Sequence, residues 1–113
     1  MGKKTIKIDA QLKPLQPFLQ KIKQKFHPQK IILFGSRVKG EALRSSDYDL
    51  LLVSAEFSKQ GMYQRMVQVY NLQAIPLAVD VLCLTPQEFK DRKQHLGIVQ
   101  EALKEGIDIT GSV

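Results

Sequence analysis

Apolar residues recur along parts of the chain at the three- and four-residue spacing of an amphipathic helix. The clearest series is Leu12, Leu15, Leu19, Ile22 and Phe26. It predicts a helix from about residue 14 to residue 26, because prolines at 14 and 17 are tolerated only near a first helical turn. The same spacing of methionine and valine side chains predicts a second helix over residues 58–72. These two segments should pack their apolar stripes against a common core.

Short apolar runs bounded by turn residues predict three strands. They cover Lys30–Phe34, Tyr48–Val53 and Leu77–Leu84. Each run is too short for a helix with a buried face and is rich in residues that suit a buried strand. Cys83 lies inside the third run, so we interpret it as a small packing residue.

The last third of the chain predicts helix and strand in quick succession. Thr85, Pro86 and Glu88 form the pattern of a capped helix start, which should follow the third strand directly. A final helix is predicted from the spacing of Leu96, Val99 and Leu103, and Gly106 should end it. Residues 107–109 then predict a short terminal strand, where Asp108 should occupy a solvated edge position.

These elements predict one α/β (α+β) domain over residues 1–113, with residues 1–10 as a frayed basic start. No repeat or flexible linker divides the chain, and 43% of its residues are apolar, which suffices for one modest core. The chain holds no apolar run long enough to span a membrane, and its first residues lack the apolar stretch of a secretory signal. We therefore expect a cytoplasmic protein without a membrane contact.

The positive charge is confined to the first part of the chain. Residues 1–30 contain eight lysines and one acid, whereas residues 31–113 contain nine basic and ten acidic side chains. Such a segment is typical of a solvated helix face, and it also suits binding to nucleic acid, to an acidic protein or to a nucleotide. Composition leaves these interpretations open.

Two aspartates at the start of the second strand are the first candidate site. Asp47 and Asp49 are two residues apart, so they project from one face of a strand, and Tyr48 projects from the other. Two neighbouring carboxylates repel each other unless protons or cations neutralise them, and Mg²⁺ prefers oxygen ligands of this kind. The pair predicts a divalent metal site.

The turn after the first strand supplies candidate phosphate ligands. Gly35 ends that strand, and Ser36 should begin a helical turn whose free backbone N–H groups and hydroxyl face the same pocket. A glycine lets a phosphate approach the backbone closely. Arg37, Lys39 and Arg44 flank this turn and either hold the phosphates or are ordinary exposed charges.

The order Gly35-Ser36, ten residues, then Asp47-x-Asp49 resembles the signature of the DNA polymerase β-like nucleotidyltransferase superfamily. The resemblance is strongest to its short members, the minimal nucleotidyltransferases, and extends over nearly the whole chain. It implies a small mixed sheet of about four strands with helices packed against it. It also implies a third carboxylate on a later strand, and Asp80 occupies the matching position. Asp80 lies in an apolar run, so we expect it to be buried and either liganded or paired with a cation.

The resemblance further implies an enzyme that transfers a nucleoside monophosphate, AMP from ATP in the first instance, to an acceptor hydroxyl. Asp47, Asp49 and Asp80 would be both catalytic residues and ligands of two Mg²⁺ ions. Gly35, Ser36, Arg37, Lys39 and Arg44 would bind the nucleotide. Resemblance to the short members also implies a toxin–antitoxin pair, in which such an antitoxin modifies a tyrosine of a helical HEPN partner protein.

Two other functions compete with this one. The chain would be a partner-binding module without catalysis if the fold alone were retained, but such a module would not need three carboxylates. It would be a nucleic-acid-binding protein if the basic segment contacted phosphates. That alternative is not favoured, because Phe18 and Phe26 lie on the apolar helix face and would not stack on bases.

Overall fold

A four-stranded mixed sheet organises the part of the chain that the computed structural model describes, residues 12–35, 48–74 and 78–113. The strands are β1 (Lys30–Phe34), β2 (Tyr48–Val53), β3 (Val79–Leu84) and β4 (Ile107–Asp108). Their order across the sheet is β3-β2-β1-β4. β2 is antiparallel to β1 and parallel to β3, and β4 is antiparallel to β1. The predicted fold class is confirmed.

Four α-helices accompany these strands in the described residues. They are α1 (Gln16–Phe26), α2 (Met62–Tyr70), α3 (Pro86–Arg92) and α4 (Ile98–Glu105). Three short 3₁₀ helices complete the elements, at Lys13–Leu15, Ala55–Lys59 and Thr110–Ser112. None of the helices in the described residues is long and apolar enough to cross a membrane.

The alternation of side chains along the strands creates two apolar layers. On one face, side chains of α1 and α2 and the ring of Phe57 cover inward-facing strand residues such as Leu50 and Leu52. On the other face, Phe89, Val99 and other residues of α3 and α4 cover a second set of strand residues. Asp49 and Asp80 are on this second face, because they share the pleat direction of Leu51, Val53 and Leu84.

Helix boundaries follow local chemistry closely where a cap or a breaker is present. His27 adopts a left-handed backbone conformation with φ 47° and ends α1 directly before Pro28. At α3, the Thr85 hydroxyl accepts the backbone N–H of Glu88, and the Glu88 carboxylate accepts that of Thr85. This reciprocal capping box confirms the helix start predicted from the sequence.

The predicted strands are largely confirmed. The predicted bounds of β1 and β2 are those observed. The third strand was predicted to begin at Leu77, and the structure describes it from Val79. Leu77 lies outside the described residues, together with residues 75 and 76. Cys83 is fully buried as expected, and burial raises the pKa of its thiol to about 12, against a smaller opposing effect of the nearby Arg65.

Two helix predictions were wrong in part. Residues 58–72 do not form one helix, because the chain makes a 3₁₀ turn that ends at Lys59 and starts α2 only after Gly61. Leu96 was expected to support the last helix, but it precedes α4 and is 94% exposed. The apolar residues around Leu96 have the spacing of a helix, which is why the prediction included it. The helix α4 instead begins at Ile98, directly after Gly97, which has φ 148°.

Candidate active site

The candidate site lies where β1 ends and where β2 and β3 begin. β1 runs against its two neighbours, so its last residue meets the first residues of β2, and Phe34 is the register partner of Asp49. β3 runs parallel to β2, and Asp80 is the register partner of Asp49 on its other side. The sheet therefore gathers three chain segments at one edge that are distant in the sequence.

The register places the carboxylates of Asp49 and Asp80 on one face of the sheet. Cross-strand partners share a pleat direction, and neighbouring strands are about 4.8 Å apart. Asp49 is partly buried and Asp80 is exposed. A single divalent cation with flexible oxygen coordination can be reached by two carboxylates in this arrangement.

Burial of Asp80 was predicted and is wrong. Asp80 is only the second residue of β3, which is an edge strand of the sheet formed by the described residues, and its side chain is exposed to solvent there. Its two neighbours, Val79 and Val81, are buried on the opposite face. The apolar run was identified correctly, but the position of Asp80 near its end exposes the carboxylate.

Gly35 is adapted to the carboxylate beside it. Its backbone φ is +85°, a conformation that residues with a Cβ atom rarely adopt. A Cβ atom added at this position would also lie only 2.2 Å from Oδ2 of Asp49. The glycine therefore gives the Asp49 carboxylate space directly against the backbone at the end of β1. This geometry supports the prediction that Gly35 belongs to the site.

The remaining predicted site residues lie outside the described part of the chain. They are Ser36, Arg37, Lys39, Arg44 and Asp47. Within the described ranges, no three potential metal-ligating side chains come together. Asp47, the remaining carboxylate of the predicted set, lies outside those ranges. The residues that are described still fit a metal site, because Asp49 and Asp80 supply two oxygen ligands on one face.

An ion pair between the buried Arg65 and the partly exposed Glu88, at the opposite end of β3, was not predicted. The Arg65 side chain is 7% exposed, and its Nη1 donates to Oε1 of Glu88 at 2.7 Å. Glu88 was interpreted only as a helix cap. A signal for Arg65 was present, because it lies three residues after Met62 and four before Val69, which places it on the buried side of α2.

A surface groove of about 690 Å³ lies elsewhere on the molecule. Its lining comes from the α3–α4 corner and includes Leu96, Leu103 and Lys104. Neither Asp49 nor Asp80 contributes to it. The groove is therefore separate from the carboxylate site.

The comparison with known protein families decides the identity of the domain. Residues 15–111 match the family model described as a nucleotidyltransferase domain. The chain belongs to this nucleotidyltransferase family. The match includes all the strands, so the carboxylates of β2 and β3 lie within the family domain.

Individual relatives agree with this assignment. A protein of Methanocaldococcus jannaschii named "Putative protein adenylyltransferase" is 48% identical over 55 residues, which are 47% of this chain and 37% of that protein. A Haemophilus influenzae protein named "Probable protein adenylyltransferase MntA" is 35% identical over 75 residues, 63% of this chain and 65% of that protein. The matched region thus spans less than two thirds of either relative.

A solved structure supports the fold independently. The crystal structure of a "putative nucleotidyltransferase" from Sulfolobus solfataricus superposes with a TM-score of 0.64 over 94% of this chain and 85% of that one. The two sequences are 24% identical. This similarity shows that the nucleotidyltransferase fold is shared.

Proposed function

We propose that this chain is a protein adenylyltransferase that transfers AMP from ATP to a hydroxyl group of a protein acceptor. The observation that carries the proposal is the pairing of Asp49 with Asp80 across parallel strands, where the Asp49 carboxylate lies against the backbone of Gly35. Membership of the nucleotidyltransferase family supports nucleotidyl transfer. The names of the two relatives support AMP and a protein acceptor.

In the proposed reaction, the acceptor oxygen forms a bond to the α-phosphorus of ATP. The bond from that phosphorus to the bridging oxygen of the β-phosphate breaks, and pyrophosphate leaves with the electron pair. The acceptor hydroxyl loses its proton, and Asp80 would accept it. The exposure of the Asp80 carboxylate at the edge of the described sheet supports this role. The products are an adenylylated protein and pyrophosphate.

Asp47, Asp49 and Asp80 would hold two Mg²⁺ ions. When bound, such ions neutralise charge on the triphosphate and lower the pKa of the acceptor hydroxyl. Gly35 would leave room for phosphate oxygens near the backbone, and Ser36 would orient the β- and γ-phosphates. Arg37, Lys39 and Arg44 would neutralise further charge on the triphosphate.

We also propose that the acceptor is a HEPN-type helical protein and that the pair acts as toxin and antitoxin. The family resemblance of the sequence motif supports this partner class. The acceptor would be a tyrosine of that protein, and its modification would neutralise the toxin.

The test incubates the purified chain with α-labelled ATP, Mg²⁺ and the product of the neighbouring gene, followed by intact-mass analysis. We expect the neighbour to gain one or more adenylate groups with the parent chain and none with Asp49→Asn. Asp91→Asn is the matched control, because Asp91 is an exposed carboxylate of α3 that accepts a hydrogen bond from Gln87. Full transfer by Asp49→Asn would refute the mechanism, and label on RNA alone would refute a protein acceptor.

A further inference from the structure

The buried guanidinium of Arg65 joins three separate segments of the chain. Its Nε donates to the backbone oxygen of Gln60 at 2.8 Å, and its Nη1 donates to the backbone oxygen of Cys83 at 3.1 Å. Both terminal nitrogens also contact the Glu88 carboxylate, at 2.7 and 3.3 Å. We call this set of contacts the Arg65 clamp. It connects the start of α2, the end of β3 and the first turn of α3.

The clamp holds β3 from its outer side. β3 is an edge strand, paired only with β2 within the described sheet. The backbone oxygens of Ala78 and Leu84 accept hydrogen bonds from the β2 side. In a parallel strand these groups alternate in direction, so the oxygen of Cys83 points away from β2 and toward Arg65. Arg65 therefore binds β3 on the side where no other strand of the described residues pairs with it.

Glu88 gives the clamp a fixed geometry. Its Oε1 accepts both Nη1 of Arg65 and the backbone N–H of Thr85, at 2.7 and 2.9 Å. The carboxylate is thus fixed to the first turn of α3, and Arg65 is in turn fixed to that carboxylate by two contacts. A lysine could not reproduce this planar arrangement, because its ammonium is a single point of charge.

We infer that Arg65 and Glu88 are positioning residues for the active site, because they fix the edge strand that carries Asp80. This inference rests on the proposed function. Asp80 lies three residues before Cys83 on the same strand, about 10 Å along it. A change in the position or twist of β3 would move Asp80 relative to Asp49, whose strand is central and held on both sides. The clamp therefore stabilises the spacing of the two carboxylates from a distance.

The test combines amide hydrogen exchange with transfer kinetics on the full chain, using Arg65→Lys, Arg65→Met and Glu88→Gln. We expect exchange in residues 79–84 to accelerate about tenfold in Glu88→Gln, with that of β1 unchanged. We expect kcat to fall about tenfold while KM for ATP changes less than twofold. Arg65→Lys should lie between the parent and Arg65→Met. Glu56→Gln is the control, because it breaks an exposed ion pair with Lys59 that does not touch β3.

The outcomes separate the clamp from the proposed function. The inference would be overturned if Arg65→Lys and Glu88→Gln both kept the parent's exchange rates in β3 and the parent's kcat. It would also be overturned if amide exchange accelerated equally in all the described strands. If Arg65→Met fails to fold, the other two variants decide. In a further outcome, the parent chain transfers no AMP while Glu88→Gln still shows selectively faster exchange in β3 and weaker Mn²⁺ binding than the parent. That result would contradict the proposed function and support the clamp.

Discussion

The two ends of β3 use charged side chains in opposite ways. At the end near Cys83, Arg65 and Glu88 carry opposite charges and bind each other, with 7% and 37% of their side chains exposed. At the other end, Asp80 and its partner Asp49 carry the same charge and lie side by side. Paired opposite charges neutralise each other without a further ion, whereas neighbouring carboxylates favour the binding of a cation.

This difference separates structural from functional chemistry within one strand. Removing one partner of the Arg65–Glu88 pair should destabilise the protein, because the other partner then remains partly buried without its counter-charge. Removing the charge of Asp80 should leave stability intact, because it relieves repulsion with Asp49. The following predictions test that contrast, in order of decreasing effect.

The largest effect is expected for Asp80→Asn on catalysis. The substitution keeps the shape of the side chain but removes a negative charge and a proton acceptor, so transfer should fall about 10³-fold. The melting temperature without metal should stay the same or rise. Stabilisation by Mn²⁺, measured as a shift in melting temperature, should disappear. A variant that keeps both the metal shift and the transfer rate would contradict the role of Asp80.

A smaller but still large effect is expected for Arg65→Met on stability. The substitution keeps much of the side-chain volume but leaves the Glu88 carboxylate and the Cys83 carbonyl without this donor. The free energy of unfolding should fall by about 2–4 kcal/mol. Urea unfolding followed by circular dichroism measures the change. A loss below about 0.5 kcal/mol, the size expected of an ordinary surface substitution, would show that the clamp is not structural.

Gly35→Ala should affect both stability and activity. The new Cβ atom would be strained at φ +85° and would force the Asp49 carboxylate to move. We expect a loss of about 1–3 kcal/mol in unfolding free energy, together with a lower transfer rate at saturating ATP. Gly111→Ala is the matched control, since a Cβ atom there meets nothing within 4 Å. Equal behaviour of the two variants would contradict a special role for Gly35.

The smallest effect is expected for the pH dependence of the unfolding free energy that Glu88 causes. The hydrogen bond from Arg65 holds the pKa of Glu88 below its usual value of 4.5, together with contributions from Thr85 and against the effect of burial. Stability from this group is therefore present above pH 4.5 and is lost as the pH falls through the lower pKa of the folded state. Glu88→Gln should be less stable than the parent at pH 7, and this deficit should shrink below pH 4.5. Unfolding curves at several pH values measure it, and a constant deficit would contradict the assignment.

Much of the fold could be predicted from the sequence, because the patterns that indicate its helices and strands lie within a few consecutive residues. The runs at Lys30–Phe34 and Tyr48–Val53 are buried strands with apolar residues on both faces, and their ends coincide with a glycine and with polar residues. The start of α3 was legible because the capping box involves four consecutive residues. The prediction of one helix over residues 58–72 failed because Gly61 interrupts a periodic pattern that continues on both sides.

The candidate site could be predicted from the sequence only in part. The motif around Gly35 and Asp49 lies at the end of β1 and the start of β2, and Asp80, which the family resemblance implied, is the register partner of Asp49. The roles of these residues stay predictions. The exposure of Asp80 was not foreseen, because an apolar context in the sequence does not reveal whether a residue lies at the centre or at the end of an edge strand. Arg65 was not identified at all, since its partners lie 18 and 23 residues further along the chain.

The sequence by itself determined which segments become helices and strands and which residue types can bind metal and phosphate, because capping, periodicity and side-chain chemistry act over a few residues. Only the tertiary structure decided the order β3-β2-β1-β4, the pairing of Asp49 with Asp80 and the attachment of Arg65 to the outer edge of β3. These features depend on which strands become neighbours and in what register. That choice is made by the packing of the whole core and not by any short segment of the chain.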